Sequence, residues 1–340
     1  MVESKTCCQR IPVKRSDFGL NWKDPGALAR SQWPIPTYAY IVYRSLFMMY
    51  LVVWDTLNVC SGTATLGARQ LLYLTNWSFH VLTLYGIVGA LSSAVYCYRP
   101  QSSLVLPRQS STRGKEGIQN DAFVSSDDDV IKMASRQEGG SMDVDENGKE
   151  IEGKPSGRAS NQGTPKQAPD PLTPWYLKLS WALFNINVMV APLVTVVYWS
   201  VLHDYSPPEE GEVRNPLNVG LNVNVHAMNG ILIILDLFVS AHPIRIVHWI
   251  YGLAYGFVYI VFTVIYWAAG GVNSWGGTAI YPILDWGEIP GLTCAYVLAI
   301  ALAIGVIQCI VYALFRLRVY ISMKCNRNQS AKAVDITSTV

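Results

Sequence analysis

The chain has 340 residues, 51% of them hydrophobic and 15% charged, against roughly 25% charged in an ordinary soluble domain. That balance fits a membrane protein diluted by polar segments. A net charge of +2, with the basic residues spread over tails and loops, offers no basic face to nucleic acid.

The first residues, "MVESKTCCQRIPVKRSDFGLNWKDPG", carry charge and proline where a cleaved signal would need an apolar core of about 7 to 15 residues. No signal peptide is expected. The seven cysteines are too scattered for a disulfide framework, and no C-x-x-C spacing suggests zinc, so neither metal nor cofactor is expected. Cys7, Cys8 and Cys325, near the termini and close to apolar segments, suit S-palmitoylation. They suit free cytosolic thiols equally well.

A helix needs about 20 largely apolar residues to cross the hydrocarbon core. Six stretches qualify: Tyr38 to Cys60, Leu71 to Tyr98, Trp175 to Leu202, Leu217 to Ser240, Ile246 to Trp267 and Leu292 to Phe315. Lipid-exposed backbone cannot go unpaired, so each is read as a helix, and the fold predicted is an all-α bundle of six transmembrane helices. Six crossings put both termini on one side. Of the 26 lysines and arginines, only Arg69 and Arg214 fall in the loops opposite the termini, leaving 24 on the terminal side. The positive-inside rule then makes the termini cytoplasmic. The organisation expected is a cytoplasmic segment over 1–36, two spans within 37–98, a loop over 99–173, four spans within 174–315 and a cytoplasmic tail over 316–340. The loop is rich in Ser, Gly, Asp, Gln and Lys and cannot bury enough apolar surface to offset its ordering entropy, so it reads as disordered. Within it, Ser125 to Asp129 is a solvated acidic run that also offers phosphorylation sites. The chain's last residues, with Ser338 two positions before the terminal Val340, have the form that adds as a strand to a PDZ groove.

Two spans carry polar residues in a pattern. In the fourth, Asn222, His226, Asn229, Ile233 and Asp236 recur at spacings of 4, 3, 4 and 3, one narrow helical stripe. Such a stripe belongs toward the bundle interior or a water-filled cavity, because lipid exposure would cost several kcal/mol. In the second span, Thr75, Thr83, Gly86, Gly89, Ala90 and Ser93 share a face, and small residues allow close helix approach. Thr75 and His226 each lie a turn or two inside helices that start from the non-cytoplasmic side. Asp236 is ten residues beyond His226, about 15 Å deeper at 1.5 Å per residue, too far to orient that ring. Asp55, near the outer end of the first span, is at a depth that would allow it. A threonine hydroxyl, a histidine base and an orienting carboxylate form a nucleophile set if they converge. The same residues read equally as a threonine bonded to its own backbone, a structural histidine and an aspartate at a helix mouth. Asn76, Ser78 and His80 read as residues settling at the water boundary.

The runs "LLYLTNWSFHVLTLYGIVGAL", "VHAMNGILIILDLFVSAHPIRIVHWIYGLAYGFVYIVF" and "AIYPILDWGEIPG" resemble the rolling stone proteins, multi-pass membrane proteins associated with myoblast fusion in insects. More distantly, the chain is similar to the androgen-induced transmembrane hydrolases, which use a threonine and a histidine to cleave fatty acid esters of hydroxy fatty acids. Their threonine follows a leucine at the start of the second span, as Thr75 follows Leu74. Their histidine ends a Leu-Asn-His-x-Met-His motif with an acidic residue ten positions on. "LNVNVH" keeps Leu221, Asn222 and His226, with Asp236 in the acidic place, but has Val223 where the motif has its first histidine. A shifted placement would put Asn229 on the catalytic histidine. The closing Tyr-Pro, acidic, Pro-Gly pattern is matched by Tyr281, Pro282, Asp285, Pro290 and Gly291. The resemblance implies two readings: a plasma-membrane protein of cell fusion and muscle development, or an intramembrane lipid-ester hydrolase with Thr75 as nucleophile, His226 as base and Asp55 orienting it. Membrane lipids, a lipid-ester substrate and a PDZ-domain protein are the partners expected. A transporter would also use a polar stripe, but no pair of spans shows matched mid-membrane Gly or Pro interruptions.

Overall fold

A computed structural model describes residues 14–98, 172–203 and 215–338, with side chains through residue 326. Cys7, Cys8, Val340, the Ser338 side chain and all but the last two residues of the expected 99–173 loop lie outside it. Proline and asparagine set the helix starts. Pro36 (φ −58°, ψ 144°) precedes α1, Thr37–Leu66, and Pro174 (φ −55°, ψ 145°) precedes α3, Trp175–Leu202, whose last five residues form a π-helical turn. Asn215 caps α4, Pro216–Val239, by accepting a 2.9 Å bond from the Leu217 amide, and Pro216 takes the first helical position, where no amide hydrogen is needed. Gly67, at φ +59°, ends α1 in a conformation other residues rarely adopt. Between α1 and α3 runs α2, Leu74–Tyr98; α5, Trp249–Ala268, and α6, Pro290–Ser338, complete the order.

Among the described residues there is no strand, and five helices are long and apolar enough to cross a membrane: α2, α3, α4, α5 with its leading turn, and α6. The sixth expected span, α1, has 30 residues but is not in that set. Its Arg44 and Asp55 lower its mean hydropathy. The last helix departs from expectation differently. It continues past Phe315 to Ser338, 49 residues in all, about 74 Å at 1.5 Å per residue. The hydrocarbon core is about 30 Å thick, so α6 extends well beyond any single crossing.

The core is built around α3, which packs against α2, α4, α5 and α6. Leu177, Trp181, Phe184, Val188 and Met189 on it are wholly buried. By contrast, only 17% of the apolar window of α5 and of α6 is buried, leaving broad faces for lipid. The small-residue face of α2 is buried, as its pattern predicts. A Cβ on Gly86 would sit 3.0 Å from Leu51 Cδ1, and one on Gly89 would overlap the Arg44 guanidinium at 1.5 Å. Alanine at 89 therefore leaves no room for Arg44.

Residues 14–36 are not a free solvent-exposed segment. Ala27, Leu28 and Ala29 are buried. The backbone of Gln32 donates to Val239 O (3.0 Å), and Ala241 donates back to Arg30 O (3.0 Å). Arg245, after α4, donates to the carbonyls of Asp17, Gly19 and Asn21 and lies over the rings of Trp22 and Trp181. The segment thereby closes one end of the bundle.

Candidate functional site

Thr75 is in the first turn of α2, buried, in the wall of a cavity of about 310 Å³. The cavity is bounded by α3, α5, α6 and the α5–α6 connection, and no lysine, arginine, histidine or carboxylate lines it. Its polar groups are hydroxyls: Thr75, Tyr198, Tyr255, Tyr259 and Tyr281. Tyr281 stands in the same wall as Leu74 and Thr75, with its ring edge-on to Tyr73. Tyr259 donates to Leu72 O at 2.7 Å. The closing motif explains why Tyr281 stands there. Asp285 Oδ1 accepts from the amides of Gly287 and Glu288 (3.0 Å each), and its carbonyl accepts from Thr293 Oγ1 at 2.8 Å, building the turn that starts α6.

His226 lies in a π-helical turn of α4, Asn224–Met228. Its Nδ1 is 2.9 Å from the carbonyl of Asn222. Donation from Nδ1–H to that carbonyl leaves Nε2 with its lone pair, the tautomer a base needs. The ring is stacked on Tyr198 (centroids 3.4 Å apart, planes at 19°), and Tyr198 donates to Asn222 Oδ1 at 2.7 Å. Two contacts set α4 against α2. Asn229 Nδ2 reaches Ser78 Oγ at 3.5 Å, and Tyr85 bonds Asp236, both pairs 151 residues apart in sequence. The helices therefore run parallel in one register, and the same offset sets His226 level with Thr75. No hydrogen bond joins those two; the Tyr198 ring, against His226, is also in the cavity wall.

Asp55 is placed otherwise than expected. Its Oδ1 is 2.7 Å from Nδ1 of His80, not against His226. The reason is helix adjacency. α1 packs on α2, and Asn58 donates to Asn76 Oδ1 (3.1 Å) along the same seam. His80 accordingly has a carboxylate partner rather than only water. Orientation of His226 rests on the Asn222 carbonyl.

The stripe ends in a cluster the sequence did not reveal. Asp236 is fully buried and 3.0 Å from Arg44 Nη1 of α1, itself 1% exposed. Its carboxylate also accepts from Tyr43 (2.8 Å), from Ser240 (2.8 Å) and, in a short bond, from Tyr85. Tyr40 extends the network to Ser240 Oγ at 3.0 Å. Three helices, α1, α2 and α4, thus meet at one charge pair. Charge matching is the signal that finds it, because a lone arginine in an apolar span needs an internal counter-charge.

A family model described as Protein rolling stone matches residues 158–337. The chain belongs to the rolling stone family. Protein rolling stone of Drosophila melanogaster is 23% identical over 314 residues, covering 90% of this chain and 88% of the fly protein. No solved structure matches. The segment matched by the rolling stone model takes in α3, α4, α5 and α6, and so His226, Asn229 and Asp236. Thr75, Arg44 and Asp55 stand outside it. Of the remaining sequence candidates, Cys325 is exposed on α6.

Proposed function

We propose that this rolling stone protein crosses the plasma membrane six times, with both ends cytoplasmic, and acts in cell contact leading to fusion, as in muscle development. Family membership is the observation that carries this reading. The sixth crossing is α1. Its Arg44 is neutralised by Asp236 within the bundle, so the charge that lowers its hydropathy is not presented to lipid. Membrane lipids, and a PDZ-domain protein at the tail ending in Val340, are the partners this reading entails. Removing the protein from fusing muscle precursors is expected to lower cytoplasmic content mixing severalfold, with rescue by the wild-type chain. Mixing at wild-type levels without the protein would sink the reading.

A second reading is favoured by one observation, the placement of Thr75 in a cavity wall at the register of His226. In it, Thr75 Oγ attacks the carbonyl carbon of a lipid ester while His226 takes the hydroxyl proton, through a water or after Tyr198 shifts. The acyl–threonine bond forms as the alcohol leaves with that proton, and water then hydrolyses the acyl-enzyme. A fluorophosphonate probe should label the wild-type protein, and labelling should fall at least about a hundredfold in Thr75→Ala and in His226→Ala. Labelling that survives Thr75→Ala removes this mechanism.

A further inference from the structure

We infer that the cavity beside Thr75 binds an uncharged long-chain lipid whose carbonyl or ester oxygen accepts a hydrogen bond from the Tyr255 hydroxyl. This deepens the second reading by naming the substrate class, and it rests on that reading for the site but not for the chemistry. Tyr255 carries the inference. Its hydroxyl is buried and finds no hydrogen-bond partner among the described residues. A buried donor left unmade is costly, and because Tyr255 belongs to the cavity wall, a ligand oxygen that reached its hydroxyl would relieve that cost. Two other phenol hydroxyls of the wall are engaged, Tyr259 with Leu72 O and Tyr198 with Asn222.

The rest of the wall selects against charge. Val190, Val194, Leu253, Ile260, Ile300 and Ile304 supply an apolar channel wall from three helices. With no cationic side chain in the lining, a carboxylate would be buried without a counter-charge. A free fatty acid is therefore disfavoured, and so is an ester that must bury a free carboxylate there. An oxygen that only accepts a hydrogen bond is matched by the Tyr255 phenol. Entry is from the bilayer. Phe257 belongs to the same wall and is 69% exposed on the outer face of α5, so the cavity reaches the surface that meets acyl chains.

The test uses the full-length protein in detergent and an alkyne-tagged, diazirine-bearing methyl palmitate, with the corresponding free acid as comparison. The ester should crosslink to α3 and α5 peptides at least about fivefold more than the acid. Tyr255→Phe, which keeps the ring and loses only the hydroxyl, should cut ester crosslinking about tenfold, the loss of one hydrogen bond, with the melting temperature unchanged. A cavity-filling Leu253→Trp should also block it. Equal labelling by acid and ester, crosslinks confined to other helices, or full labelling of Tyr255→Phe would each overturn the inference. The two ideas fail separately. Ester crosslinking in a protein that never reacts with fluorophosphonate leaves the binding site standing without the hydrolase.

Discussion

Replacing Asp236 by leucine alone is expected to cost about 3–5 kcal/mol of stability, because it strands the Arg44 guanidinium in the bundle without a counter-charge. Arg44 is 1% exposed and Asp236 0%, so neither can turn to water. The carboxylate also takes hydrogen bonds from Tyr43, Tyr85 and Ser240, which lose their acceptor together. On the arginine, Nε and Nη2 find no other partner among the described residues. Arg44→Met should be nearly as damaging, since it leaves the carboxylate alone. Combining Arg44→Met with Asp236→Leu is expected to recover much of the loss, because a buried ion pair is far costlier to halve than to replace by apolar groups of similar volume. Melting of the purified protein in detergent, run as a double-mutant cycle, measures this. A coupling below about 0.5 kcal/mol would show that the pair is not the junction described.

What the sequence makes legible follows from what each pattern measures. Hydropathy marks where a chain can sit in lipid, and it locates α2 through α5 closely. It does not mark where a helix ends. Beyond Phe315 the residues turn polar, yet arginine, methionine, lysine, glutamine and alanine are good helix formers, so α6 runs on to Ser338. Helical periodicity places Asn222, His226, Asn229 and Asp236 on one face, and Asn229 and Asp236 are indeed fully buried. Periodicity cannot say which helix that face meets. Hence Asp55, at a suitable depth for His226, pairs instead with His80 across the α1–α2 seam. The register linking Ser78 to Asn229 and Tyr85 to Asp236 is a tertiary fact of the same kind. Tyr255 was illegible for another reason: in a tyrosine-rich span, which hydroxyl lacks a partner depends on every neighbour at once. Composition is silent on how the N-terminal segment packs: the short run Ala27-Leu28-Ala29 is buried and Arg245 binds the carbonyls that precede it.

Arg318→Leu should be about as disruptive as loss of Asp236, although Arg318 touches no carboxylate. Its side chain is fully buried. Nη1 donates to the carbonyls of Leu237 (2.6 Å) and Ser240 (2.5 Å), and Nη2 to that of His242 (2.9 Å). These carbonyls lie at the C-terminus of α4 and just past it, where the helix has no amides left to satisfy them and the macrodipole favours a cation. Leucine removes all three donors, and each carbonyl left unpaired in a buried site costs about 1–3 kcal/mol. Lysine keeps the charge but not the planar fork, so Arg318→Lys should fall between the two. Melting in detergent ranks the variants, and hydrogen exchange over residues 238–245 locates the change. Protection there unchanged in Arg318→Leu would refute the capping role. The effect should also reach the charge pair. Ser240, whose carbonyl Arg318 holds, donates its hydroxyl to Asp236 and accepts from Tyr40. Arg318→Leu and Asp236→Leu should therefore combine to less than the sum of their separate costs, because each loosens the α4 terminus that the other also fixes.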